Sequence, residues 1–220
     1  MERMTIKEFK EESNFEVIES IMKMNNGYVT SKELDNFGIH RMYLNSMWKK
    51  GIVEKVAPGI YIDINKIEDN YYVFSLSMPN TIYSHMTALY FHGLSIKAPN
   101  DKYDITVKKT YNSKHLTKHE VFYVSDDIYE LGLTEVKTPM GNSVRVYDVE
   151  RCICDIIRSK NRMDSEHVKY SIRAYLKRKD KNLVKLSNYA KEMGIKEEVM
   201  NYIEAVSYTH LRAHETRHDL

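Results

Sequence analysis

Asn45, Ser46 and Lys49, in the run Met42-Tyr43-Leu44-Asn45-Ser46-Met47-Trp48-Lys49, carry the functional groups that meet base-pair edges in duplex DNA. An asparagine amide pairs with adenine, a serine hydroxyl tolerates several bases, and a lysine reaches guanine or phosphate. Arg41 before this run, and Lys50 and Lys55 after it, add cations suited to backbone phosphates, which fix register rather than sequence. These side chains act together only if one element presents them on one face. At about 100° per residue an α-helix does so: Leu44, Met47 and Gly51 fall on one side, and Met42, Asn45, Ser46 and Lys49 fall opposite.

The surrounding residues supply such a helix. Thr30 followed by Glu33 is a capping box that starts a helix at Ser31, and Gly38 ends it. The spacing predicts the next helix over His40–Lys50, with Leu44, Met47 and Trp48 as its apolar residues and Gly51 as its exit. Two β-prone runs follow, Ile52–Val56 and Ile60–Ile62, joined by Ala57-Pro58-Gly59, where proline presets one turn dihedral and glycine permits the other. Upstream, Ser13-x-x-Glu16 is a second capping box, followed by Val17, Ile18, Ile21 and Met22 on one face. Together these segments predict a winged helix-turn-helix over residues 1–65, with 40–50 as recognition helix and 52–62 as wing.

The rest of the chain reads as a second, α+β domain over 66–206. Tyr71–Leu76 predicts a linking helix that ends before Pro79, with the boundary near Asn65. Ser84 is placed to cap a short helix carrying Ala88, Leu89 and Phe91, which Gly93 terminates. Short β-type runs at 103–107, 121–124, 133–136 and 143–147, with a turn at 139–142, predict a small mixed sheet. From Asp148 the pattern Val149, Cys152, Ile153, Ile156, Ile157 is helical, and further helices are expected at 165–178, 182–193 and 197–205. The fold class is therefore α+β: winged helix, small sheet, helical end.

Charge is unevenly spread. The chain of 220 residues has a formal net charge of +2, yet residues 151–196 hold 13 basic and 5 acidic side chains. Lys169, Arg173 and Lys177 recur every four residues, the spacing of a basic ridge on one helix. A solvated surface accounts for such a block, and so does a polyanionic partner. Cys152 and Cys154, two apart on a helix, point to different faces and cannot bridge. With no signal segment and no apolar run of about 20 residues, the expected location is the cytoplasm, without a membrane partner.

Three stretches, GIVEKVAPGIYI (51–62), IYSH continuing to ALYFHGLS (82–95) and VRVYDVERCICDII (144–157), occur in an order that resembles the abortive-infection antitoxins of type IV toxin–antitoxin systems, the AbiEi-like family. The resemblance implies a transcriptional autoregulator whose winged helix binds repeats in its own promoter. It also implies a C-terminal domain that counters a nucleotidyltransferase-like toxin, with direct contact between the two left open. Residues 207–220, SYTHLRAHETRHDL, depart from the family pattern and resemble translated sequencing-adapter read-through. Their His210, His214 and His218 imitate a zinc-binding spacing that such an appended segment does not support.

Enzymatic readings find little support. There is no phosphate-binding glycine loop, nucleophile elbow or HExxH motif, no cofactor motif, and no metal-ligand set outside the appended histidines. His85 and His92 suit packing or capping, and Asp126-Asp127 suits a loop or helix cap. The rival to a DNA-binding regulator is an RNA-binding or protein-interaction module, in which Arg173, Tyr175, Lys177, Arg178 and Lys179 would meet RNA and the winged helix would only pack.

Overall fold

A computed structural model describes residues 6–100, 102–112 and 114–215, with side chains described over 13–206 apart from 114 and 115. The chain forms two compact units: Met1–Pro79 together with Thr138–Asn142, and Asn80–Lys137 together with Ser143–Leu220. No helix among the described residues is long and apolar enough to cross a membrane.

The first unit runs α1 (Ile6–Met24), β1 (Tyr28–Thr30), α2 (Ser31–Asn36), α3 (Met42–Lys49), β2 (Val53–Ala57), β3 (Ile60–Asp63) and α4 (Asn70–Ser77). This is a winged helix-turn-helix. The capping box is present: Thr30 Oγ1 accepts from Glu33 N–H, and Glu33 accepts from Thr30 N–H at 2.7 Å. Gly38, at φ +67°, turns the chain out of α2 in the left-handed region that glycine enters without a Cβ clash. One helix boundary differs from expectation. α1 passes through Ser13 instead of starting there, because the Lys- and Glu-containing residues before it extend the helix with good formers.

The three strands pair in the order β1-β3-β2, all antiparallel. β1 completes the sheet through Tyr28↔Ile62 and Thr30↔Ile60. Tyr61 faces Ile18, Leu34, Leu44, Met47 and Val53 in the helical core. Ile60 and Ile62 point to the other face, where with Tyr28 they meet Val73, Tyr72 and Leu76. β3 is thus buried on both sides, which is why it reads as an unbroken apolar run. The second face corrects the boundary expected near Asn65: without α4 it would be open to water, so α4 belongs to the first unit, which runs to Pro79. Asp69 anchors that helix by accepting from Tyr71 N–H and Tyr72 N–H. It also accepts from Thr138 Oγ1 at 2.5 Å and Asn142 Nδ2 at 2.7 Å.

The second unit holds β4 (Ile82–Tyr83), α5 (His85–Phe91), β5 (Asp104–Lys108), β6 (Glu120–Val124), α6 (Asp126–Tyr129), β7 (Leu133–Lys137), β8 (Ser143–Tyr147), α7 (Val149–Arg158), α8 (Ser165–Lys177), α9 (Leu183–Glu192) and α10 (Lys196–Glu215). Its sheet is mixed, with strand order β6-β5-β4-β8-β7. The central strand is only two residues long, antiparallel to β5 and parallel to β8. Every residue of α7 from Glu150 to Ile157 is buried. Cys152 and Cys154 are free and buried, and burial raises both thiols, that of Cys154 to about 12. They are core groups that stay protonated.

Candidate nucleic-acid interface

α3 is positioned by Leu44 and Met47, both fully buried against α1, α2 and β2. With that face fixed, the opposite one must be presented to solvent. Arg41, Met42, Asn45, Trp48, Lys49 and Lys50 are all exposed, and Lys55 is exposed on β2. The side chains of Arg41, Lys49 and Lys55 have no hydrogen bond or ion pair among the described residues, which leaves three cations available to a polyanion. The first amides of α3 are met by His40, whose Nδ1 accepts from Met42 N–H at 3.2 Å.

Three residues of this helix region have surroundings that the spacing alone does not report. Trp48, one of the apolar residues that mark the helix in the sequence, is 50% exposed: it sits on the flank of the apolar stripe, about 70° from its centre at 100° per residue. Ser46 is half-buried and already interacts within the protein. Lys50 lies over the Phe15 ring at 4.5 Å, a cation–π contact that draws it toward α1. Asn45 stays exposed, yet its Oδ1 accepts a hydrogen bond from Tyr61 Oη at 3.0 Å. No local sequence signal reveals that bond; it follows from Tyr61 being buried from the wing side.

The basic helix of the second unit is less open than its spacing suggests. Lys169 pairs with Glu166 at 2.8 Å. Arg173 is half-buried beside Tyr202, Ala205 and Val206 of α10, and its Nε lacks a partner among the described residues. Lys177, the last residue of α8, is exposed. Lys169 and Arg173 line one pocket with Tyr202, Ala205 and Val206, so α10 covers part of this side of α8.

The two histidines singled out in the sequence are structural. His92 Nε2 lies 2.8 Å from Tyr147 O; a carbonyl only accepts, so this nitrogen carries the proton and donates. His85 is 2% exposed, lies between Ser84 Oγ (2.8 Å) and Ser159 Oγ (3.2 Å), and stacks on Phe122 at 3.5 Å. Burial, with Arg151, Arg162 and Arg158 nearby, lowers its pKa well below the usual histidine range. Ser84 sits at the N-cap of α5, but makes no side-chain cap there; its hydroxyl is engaged by Thr106 and His85 instead. Asp126 and Asp127 open α6. Among the described residues no group of three or more His, Cys, Asp or Glu could hold a metal ion. His210 and His214 fall within α10, and His218 lies outside the described residues.

A cavity of about 280 Å³ in the second unit is lined in part by Met86, Thr87, Asp104, Glu120 and Arg162. Burial pushes the Asp104 carboxyl up to about 6, with Glu120 adding to the shift and the Met86 amide opposing it. Between the ordinary carboxylate value of 3.8 and about 6 the folded chain holds this proton more tightly than the unfolded one. The contribution of Asp104 to stability therefore falls as pH rises through that window. Asp104→Asn, which keeps an oxygen for the Met86 amide, is expected to be more stable than the parent at pH 7, by ~1–2 kcal/mol after allowing for partial solvation. The advantage should largely vanish at pH 4. Melting temperatures at both pH values check this, and an equal gain at each would refute it.

Comparison with known proteins bears on the first unit. The family model described as transcriptional regulator, AbiEi antitoxin, matches residues 17–62, which begin within the second half of α1 and continue to Ile62 in β3. No curated protein matches the chain. Among solved structures, the RV2827C protein from Mycobacterium tuberculosis aligns with a TM-score of 0.45 at 11% identity, covering 86% of this chain and 79% of that one, a likeness too slight to bear on the fold or the site. Residues 17–62, the part of the chain that forms the winged helix, are thus similar to the AbiEi-antitoxin transcriptional regulators.

Proposed function

We propose that the chain is a DNA-binding autorepressor that binds repeats in its own promoter, and the antitoxin of a type IV toxin–antitoxin system that counters a nucleotidyltransferase-like toxin. The observation that carries the DNA-binding half is the exposed face of α3. A winged helix matched by a regulator family presents Asn45 with three uncommitted cations, Arg41 and Lys49 on the recognition helix and Lys55 on the wing. Cations of this kind hold phosphates while a few side chains reach base edges. The test is fluorescence anisotropy of the chain with duplex DNA from upstream of its own reading frame, against a scrambled duplex, at two salt concentrations. Preference for the upstream duplex, weakening as salt rises, is the expected result. Equal binding to both duplexes, or a preference for single-stranded RNA, would replace this reading with the interaction-module one.

The antitoxin half assigns Lys169, Arg173 and Lys177 to the second unit's activity. Replacing all three with glutamine is expected to weaken growth rescue from the neighbouring toxin while leaving operator choice unchanged. The ridge lies on α8, apart in sequence from the recognition helix, and loss of charge lowers affinity for a polyanion without rewriting base readout. Rescue equal to that of the parent chain removes α8 from the functional account.

A further inference from the structure

Asn45 is the one amide on the exposed face of α3, and its orientation is set from beneath. Tyr61 is 4% exposed, its ring fixed in the core beside Val29, Val53 and Met47. A buried phenol needs a hydrogen-bond partner, and among the described residues the Tyr61 hydroxyl has one, Asn45 Oδ1 at 3.0 Å. The asparagine carbonyl is therefore turned inward toward the wing strand, and the other branch of the planar amide, the NH₂ group, is turned outward. An asparagine reads adenine through both branches at once, donating to N7 and accepting from the N6 amino group. Here the accepting branch is committed to the protein.

We infer that the Tyr61–Asn45 hydrogen bond makes Asn45 a donor-only reader, so that the base it selects is guanine, with acceptors at N7 and O6, and not adenine. Adenine offers a single acceptor and sets its own amino group against the amide NH₂, whereas guanine sets two acceptors side by side in the major groove. Tyr61, which touches no DNA, acts as a positioning residue for specificity. The inference rests on the DNA-binding reading above and specifies what that reading recognises.

The test is selection of binding sites from a pool of duplexes with a randomised core, using the full chain, Asn45→Ala, Tyr61→Phe and Asn45→Asp. Trp48 is the single tryptophan of the chain, and it lies half-exposed one helical turn from Asn45. Its emission gives a second binding signal that arises on this face. The parent chain is expected to enrich guanine at one position per half-site, a position at which Asn45→Ala loses its preference by roughly 10-fold. Tyr61→Phe frees the carbonyl and should shift that position toward adenine. Because Tyr61 lies in the core, Asn45→Asp provides an independent arm: an exposed acceptor-only side chain should shift the same position toward cytosine, whose N4 amino group donates. Enrichment of adenine by the parent at the Asn45-dependent position overturns the inference, as does an unaltered guanine preference in a folded Tyr61→Phe chain. Failure of the parent to enrich any sequence instead sinks the DNA-binding reading itself.

Discussion

Arg151→Ala is expected to destabilise the chain by about 3–5 kcal/mol, the cost of breaking a buried ion pair by removing one partner. Arg151 has no exposed surface. Its Nε donates to both oxygens of Asp155 at 3.1 Å, and its Nη1 donates to Ile128 O at 2.6 Å and Leu131 O at 2.9 Å. The guanidinium also lies 4.3 Å from the Tyr147 ring centroid. Alanine would leave a carboxylate that is 3% exposed without a counter-charge, and two inward carbonyls without donors. The paired replacement Arg151→Met with Asp155→Leu removes both charges together and should cost far less, because no orphan charge remains. Urea unfolding of the two variants gives the comparison. A loss below about 1 kcal/mol for Arg151→Ala, the size of an ordinary surface change, would show that the pair contributes little.

The second large effect is on recognition. Asn45→Ala combined with Lys49→Ala is expected to abolish discrimination between operator and scrambled duplexes, since each lost base contact costs about 1–3 kcal/mol. Lys49 is exposed and unpaired among the described residues, so its removal should leave stability unchanged. Removing Asn45 strips the Tyr61 hydroxyl of its acceptor, and a small fall in melting temperature, from roughly 1 kcal/mol, is expected alongside. Competition binding followed by thermal melting separates the two effects. Retained discrimination in a folded double variant would remove α3 from the role of recognition helix.

What could be read from sequence was local. Thr30 with Glu33, the exit at Gly38, and Pro58-Gly59 between two apolar runs each act within a few residues, and the winged helix follows from them. Trp48 counts toward the apolar spacing of the helix yet is exposed, because it lies on the flank of the apolar stripe and not at its centre. The role of Asp69 was hidden because two of its partners, Thr138 and Asn142, lie far along the chain. The Tyr61–Asn45 bond depends on how β3 seats against α3, which periodicity does not report. Arg151 and Asp155 were the missed opportunity. Two opposite charges four apart, the second inside the otherwise apolar run Cys152–Ile157, are a sequence signal for a buried pair.

The two-residue central strand also sets the order in which the second unit can be completed on the ribosome. Tyr83 pairs with Ile105 on one side and with Val146 on the other, and Val146 is 63 residues downstream of Tyr83. At about 5–20 residues per second, synthesis of that interval takes roughly 3–13 s. During that time Ile82 and Tyr83 have at most one neighbouring strand available, β5, once it too has been made. Such a gap exposes strand edges to other nascent chains, but an edge of two residues is a poor template for them. The brevity of β4 thus limits the hazard created by its position, and chains paused by rare codons between residues 107 and 143 should remain soluble longer than a full-length central strand would allow.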